Sequence, residues 1–286
     1  VDWYSRWTRG RIRDVQIEFM EVASCLGEND LIFIQAQTPG VLPGRILQKV
    51  PGIKLAWVGD LRERTQDYSF DMAPHVISCF SNERDVEAIR AVGHRADFLN
   101  IGFTTGVFNP EGSLREGTPE IVFLGSQYPD RFPRSSQRQR IVAELRERYG
   151  SRFAVYGNGW GDNSVFLQEQ DEAAAYRTCK IAIDANHFDT VSRFTSDRRF
   201  RSMGSGAFTL ANWHPGIEVD FTPGEHLVTW KDPAEIPGLI DHYLEHEDER
   251  KVIAAAGCRH VHLNHSWDAR MVELQSIISK HSAVPA

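Results

Sequence analysis

The sequence predicts an α/β fold built from two Rossmann-like domains with parallel sheets, and three observations predict it. Short apolar runs of strand length alternate with amphipathic helical segments. Such alternation implies parallel β-α-β units in a doubly wound sheet. The rhythm breaks at a stretch rich in Gly, Pro and Asn around residues 108–119, and then restarts. The chain has 286 residues, enough for two domains of ordinary size.

In the first half, residues 14–26 read as an amphipathic helix, followed by an apolar run at 31–34 of buried-strand type. Further strands are predicted at 53–58, 76–80 and 96–101. Residues 82–92 have helical periodicity, with Val86 and Ile89 on the apolar face. After the breaker-rich loop come a strand at 121–124, a helix at 135–149, a strand at 153–156, a helix at 171–179 and a strand at 181–185. A helix at 197–203 follows, then strands at 207–210 and 226–229, then three closing helices. The predicted division is residues 1–112, a shortened first domain; 113–266, a second; and 267–286, a helix crossing back to the first.

Composition narrows the classes. Apolar residues make up 41% and charged residues 25%, as in a globular protein. The net charge of −7 argues against a dedicated nucleic-acid binder. The arginines at 131, 134, 138, 140, 146, 148 and 152 run against that balance. They read either as a solvated helix face or as a surface for an anionic substrate. Four scattered cysteines without C-x-x-C spacing point to a reducing compartment. No run is long and apolar enough to span a membrane. The first residues carry no signal-peptide core, so a cytoplasmic location is expected. The chain begins at Val1 and not at Met, so a trimmed N-terminus is expected.

In open α/β sheets, ligands bind beyond the carboxyl ends of the strands. That rule selects four places. Gly125 and Ser126 end the strand opening the second domain, and Arg131 follows with donors suited to phosphate oxygens. Tyr156, Gly157 and Asn158 form a tight turn that can meet a base edge, or a plain turn with Trp160 packed in the core. Thr195 and Ser196 precede a helix start carrying Arg198 and Arg199. Free N–H groups and added charge make that start a natural diphosphate site. Asp60 directly follows a strand of the first domain and is the candidate general base. Glu63 is close by in sequence, and His75, entering a strand from the opposite edge, is the weaker candidate.

Histidines offer little metal chemistry. His242 and His246 are four apart, which suits zinc, but the acidic neighbours from Glu245 to Glu249 read as solvated surface. His260, His262 and His265 share no single helical spacing. No metal site is predicted.

The segment from Thr195 to Phe208 resembles the R-x-F-E-x-x-x-x-G-A signature of glycosyltransferases of the bacterial spore-maturation-protein type. Arg198, Phe200, Gly206 and Ala207 carry the match. The resemblance continues in order through residues 221–228, 231–235, 243–250, 254–257 and the closing Asn264-His265-Ser266-Trp267-Asp268-Ala269-Arg270. Upstream it takes in residues 121–126 with Arg131, and 100–110 as the interdomain crossing. The first hundred residues match only in rhythm, and the first strand with its glycine loop usual in the family is not found.

This resemblance implies a GT-B fold, with the second domain binding a nucleotide-diphosphate sugar, a UDP-sugar foremost, and no permanently bound cofactor. It implies metal-independent transfer of the sugar to an acceptor hydroxyl. The acceptor stays open among a small molecule, a glycan and a protein. A hydroxylated DNA base is the alternative, served by the arginine stretch and by Arg6, Arg9, Arg11 and Arg13. A sugar-nucleotide epimerase and a non-catalytic nucleotide-sugar binder are further alternatives. One departure stands out. Arg201 occupies the place of the glutamate that the family uses for the donor ribose, and a guanidinium only donates hydrogen bonds. Either another acceptor takes its place, with Glu225 and Asp220 the candidates, or the donor sits differently, or activity is reduced.

Overall fold

The computed structural model describes residues 12–35, 42, 44–61, 75–161 and 164–282. Arg6, Arg9, Arg11 and Glu63 lie outside the described residues. The chain divides into two compact units, Val1–Asn100 with Met271–Ala286, and Ile101–Arg270. The division falls ahead of the breaker-rich loop. Phe103 and Phe108 are the physical reason, because both rings are buried against Phe200, Met203 and Phe221 of the second unit.

In the first unit, β1 (Leu31–Gln35), β2 (Ile53–Val58), β3 (Val76–Phe80) and β4 (Ala96–Phe98) form one sheet in that order. Every pairing in it is parallel. Helices α1 (Ile12–Ala23), α2 (Gly44–Leu47) and α3 (Glu83–Ala91) accompany it. All five residues of β3 are buried, as a strand covered on both faces must be. Asn82 starts α3 by accepting from the Asp85 N–H at 2.9 Å, the role its short polar side chain suits.

The second unit holds β5 (Ile121–Leu124), β6 (Phe153–Tyr156), β7 (Ile181–Asp184), β8 (Phe208–Asn212) and β9 (Val228–Trp230). Their order is β6-β5-β7-β8-β9 and all pairings are parallel. Its helices are α4 (Ser135–Tyr149), α5 (Glu169–Thr178), α6 (Asp197–Gly204), α7 (Ile217–Asp220), α8 (Ile236–Glu245) and α9 (Glu247–Asn264). The pleat of β5 divides its side chains. Ile121 and Phe123 pack with Ile141, Leu145 and Tyr149 of α4. Val122 and Leu124 pack with Ala175 and Tyr176 of α5. Continuous apolar runs in sequence are the mark of such doubly covered strands. The last strand spans 228–230 rather than 226–229, because His226 closes the preceding turn by accepting from the Thr222 N–H through Nδ1.

The final helix, α10 (Trp267–Ser282), is cut by the division between Arg270 and Met271. Its end is tied to β4 of the first unit. Lys280 Nζ meets both oxygens of Asp97 at 2.8 and 2.9 Å, His281 Nε2 meets Oδ2 at 2.6 Å, and Arg90 Nη2 meets Oδ1 at 2.6 Å. Burial alone would raise the Asp97 pKa, but the hydrogen bonds from Lys280 and His281 and the nearby charge of Arg90 hold it below the usual carboxylate value. A carboxylate depressed in the folded state contributes stability above its unfolded pKa and loses it as pH falls through the folded one. Asp97→Asn should therefore cost about 2 kcal/mol at neutral pH, read by thermal or urea unfolding. The difference from wild type should shrink as the pH falls below about 4. A constant difference across that range would place the effect elsewhere than in the charge of Asp97.

Candidate functional site

The site grows from the crevice between β5 and β7. The chain leaves β5 toward β6 on one side, while β7 lies on the other. This reversal makes the carboxyl ends of β5 and β7 the topological switch point, where open α/β sheets bind ligands. Gly125 ends β5 there, and its carbonyl accepts from Trp160 Nε1 at 2.7 Å. Gly157 ends β6 with a φ of +136°. A Cβ at Gly157 would lie 2.5 Å from the carbonyl carbon and oxygen of Gly125. The two turns are thus in backbone contact, and a glycine at position 157 is a steric requirement. The Asn158 N–H donates to Ser126 Oγ at 3.1 Å, and the Gln127 N–H to the Asn158 carbonyl at 2.8 Å.

Two arginines converge on this turn. A Cβ at Gly125 would lie 2.6 Å from Arg138 Nη2 and 3.3 Å from Arg198 Nη1. Arg138 comes from α4 and is 2% exposed. Its Nε and Nη2, and Nε of Arg198, are buried without a hydrogen-bond partner among the described residues. Arg138 Nη1 contacts His187 Nε2. Since a guanidinium only donates, His187 must accept there and carry its proton on Nδ1. That Nδ1 is also buried and unpartnered. Burial, then the charges of Arg138 and Arg198, push the His187 pKa down to about 3, so the ring is neutral at pH 7. Burial and the charge of Arg198 push Arg138 down to about 9, which leaves it protonated. Buried polar groups are normally paired. A cluster of unpaired donors with net positive charge at a glycine turn is what an anionic ligand satisfies.

The start of α6 completes the crevice. Ser196 caps the helix by accepting from the Arg198 N–H, and Thr195 Oγ1 is buried without a partner. A cavity of about 180 Å³ opens beside it, lined by Gly125, Ser126, Tyr156, Gly157, Phe166, Leu167, Glu172, Asp197, Arg198 and Arg201. Glu172 lies on α5 and is 8% exposed. Burial raises its pKa to about 7 against the opposing pull of Arg201.

The glycosyl transferase-like family model matches residues 134–276, which is half of the chain. The chain belongs to the glycosyl transferase-like family. Among solved structures it is similar to Anabaena HepE in complex with UDP-glucose, at 13% identity and a TM-score of 0.63, covering 94% of this chain and 82% of that one. It is also similar to the trehalose 6-phosphate synthase of Burkholderia multivorans, at 11% identity and a TM-score of 0.65, covering 96% of this chain and 77% of that one. Sucrose-phosphate synthase of Thermosynechococcus elongatus aligns at 13% identity and a TM-score of 0.57, covering 84% and 70%. No curated protein sequence matches the chain. The two parallel sheets and these neighbours identify the fold as GT-B.

For this family member, the structure sorts the residues singled out in sequence. Gly125, Ser126, Tyr156, Gly157 and Arg198 line one cavity. Thr195 and Ser196 adjoin it through the cap, and Asn158 through its backbone.

Arg131 does not line this cavity. It is exposed and stacks over Tyr128 and Phe132, because it precedes α4 on an open loop. Arg138, one turn inside that helix, reaches Gly125 instead. Arg199 does not line it either. It is fully buried, with Nε 2.9 Å from Asp184 Oδ2, Nη1 2.8 Å from His214 Nε2 and Nη2 donating to the Asn212 carbonyl at 3.2 Å. Adjacent helical residues point about 100° apart, so Arg199 is turned into the core while Arg198 lines the cavity.

Glu225 is exposed on the turn before β9 and is not among the cavity residues. Asp220 is bound by Arg193 Nε and Nη2 at 3.0 and 2.8 Å. Neither lines the cavity, and Glu172 does. In the first unit, Asp60 follows the carboxyl end of β2, whereas His75 stands at the amino end of β3, the wrong edge for a ligand. His242 and His246 stack on each other, with His242 Nε2 3.0 Å from Glu249.

The arginine run also resolves. Arg134 pairs with Asp189, Arg148 with Asp241 and Arg152 with Glu120. Three of the seven arginines of the run are thus paired with acids. Arg138 was missed in sequence because it looked like one more member of that run. Its position on the α4 face with Ile141, Val142 and Leu145 was the available signal, since three and four residues apart means one helix face.

These placements separate two neighbouring arginines by experiment. Arg199→Met leaves Asp184 buried without its partner and should destabilise folding by about 3–5 kcal/mol, measured by denaturant unfolding. Arg198→Ala should change stability by less than about 1 kcal/mol. Gly157→Ala should force the β5 and β6 turns apart and abolish any nucleotide-induced rise in melting temperature. A normal rise in Gly157→Ala would show that the backbone contact is dispensable.

Proposed function

We propose that the protein transfers a glycosyl group from a nucleotide-diphosphate sugar to an acceptor hydroxyl, with the diphosphate bound at the Gly125 turn. The observation that carries this reading is the convergence of Arg138 and Arg198, with unpaired buried donors, on that turn. A diphosphate satisfies the donors of Arg138, Arg198 and His187 together. The same groups neutralise the charge that develops as the sugar–oxygen bond breaks, which is where preorganised donors contribute most to rate. In this reading the arginines carry that charge and no divalent ion is required. The preferred nucleotide is UDP, supported by the UDP-glucose named in the Anabaena HepE structure.

Asp60 is the proposed base that takes the proton of the acceptor. Its support is its place just beyond a parallel strand in the first unit, the end where such sheets carry chemistry. The acceptor itself is a hydroxyl compound of open class.

A melting-temperature screen with UDP, UDP-glucose and other nucleotide sugars tests the donor half of this reading. A ligand that binds only the folded state raises the melting temperature by mass action. UDP should raise it in wild type, and Arg198→Ala should weaken UDP affinity by about tenfold or more. If no nucleotide or nucleotide sugar shifts the transition, the donor assignment is wrong. For the acceptor half, Asp60→Asn should lower kcat by roughly 100-fold while leaving the UDP dissociation constant unchanged. An unchanged kcat would remove Asp60 from the reaction.

A further inference from the structure

We propose that Glu172 binds the ribose hydroxyls of the nucleotide, held for that task by Arg201, and that this pair makes the site select ribonucleotides over nucleotides lacking those hydroxyls. The inference rests on the donor reading above and assigns a group that it leaves unassigned.

The cavity has two kinds of wall. Tyr156, Phe166 and Leu167 offer apolar surface suited to a planar base, while Gly125, Ser126 and Arg198 offer donors suited to phosphate. A nucleotide joins base to phosphate through its sugar. A nucleotide using both walls therefore presents its ribose hydroxyls inside the same cavity, and a hydroxyl held there as a donor needs an acceptor. Arginine provides none.

Two carboxylates line the cavity, Glu172 and Asp197. Asp197 is engaged on both oxygens. Its Oδ1 accepts from Ser196 Oγ at 3.1 Å, and its Oδ2 lies 3.0 Å from Arg201 Nη2. Glu172 is engaged on one. Its Oε2 accepts from Arg201 Nη1 at 3.0 Å, and Oε1 carries no hydrogen bond among the described residues. The side chain is 11% exposed, so it is shielded from bulk water yet open to the cavity.

The position of Arg201 gives the pair its logic. A residue at that place on α6 faces the cavity, and an acceptor of its own would serve a ribose directly. An arginine there instead reaches across to α5 and fixes a carboxylate that comes from a different helix. Arg201 is itself held by Asp197 at 3.0 Å and Glu169 at 3.6 Å. Its guanidinium is therefore oriented before any ligand binds, and Glu172 with it. Two elements thus supply by contact what one residue could supply by position.

The test is calorimetric binding of UDP and of 2′,3′-dideoxy-UDP to the whole chain, in wild type, Glu172→Gln and Glu172→Ala. Above neutral pH, where Glu172 is ionised, wild type should favour UDP by roughly 10- to 100-fold, as expected for hydroxyls donating to a charged acceptor. Glu172→Gln should reduce that preference to within about threefold and leave dideoxy-UDP affinity unchanged, which also shows that the site has folded. Glu172→Ala should behave in the same way. A preference that survives both substitutions overturns the proposal, as does a wild type that binds both nucleotides equally. Loss of dideoxy-UDP binding in both variants also overturns it, since the role of Glu172 would then be structural. If wild type binds neither nucleotide, the donor reading fails first, and this inference falls with it.

Discussion

The buried contact between Arg199 and Asp184 organises the second unit. Asp184 ends β7, Asn212 ends β8, and His214 follows it. Arg199 touches all three and has no solvent exposure. Burying a guanidinium costs several kcal/mol unless its donors are met, and here Nε, Nη1 and Nη2 each meet an acceptor. Burial and the adjacent Arg199 push the His214 pKa down to about 3, so that ring is neutral and free to accept. The contact pins the first turn of α6 over the carboxyl ends of two strands. Once Arg199 points inward, helical geometry turns Arg198 toward Gly125. The function of one arginine thus depends on the burial of the next.

The crevice built on that anchor is electrostatically expensive. Arg138 and Arg198 approach the same glycine turn, where burial and the charge of Arg198 disfavour the charge on Arg138. Asp184 gives partial relief, its Oδ1 lying 3.9 Å from Arg198 Nη2. Unpaired buried donors and concentrated positive charge destabilise a folded protein unless a ligand uses them. A diphosphate would offset both costs at once, which is the physical content of the donor reading. The close approach of Gly125 and Gly157 brings the β5 and β6 turns together beside these donors.

Family and fold were legible from ordered patterns. Largely apolar runs of four to six residues became β2, β3, β5 and β7 within a residue of their predicted ends, because most positions of these strands are buried. Gly125, Gly157, Ser196 and Arg198 were legible because strand ends and helix caps leave marks within a few residues. Arg138 was not, since a buried arginine on α4 and an exposed one have the same letter. Glu172 was hidden for a similar reason. It sits 29 residues from Arg201, in a helix start where an acidic residue reads as a simple complement to the helix dipole.

By itself, then, the sequence determined the parallel α/β plan, its two rhythms and the strand ends at which a ligand would bind. Local propensity, apolar periodicity and capping act over a few residues, and a linear reading captures them. Only the tertiary structure decided which arginines reach the turn, which one is buried as an anchor, and which carboxylate faces the cavity. Those outcomes follow from helix phase and from contacts between segments far apart in the chain, where charge is satisfied or left unsatisfied by neighbours that no spacing rule reveals.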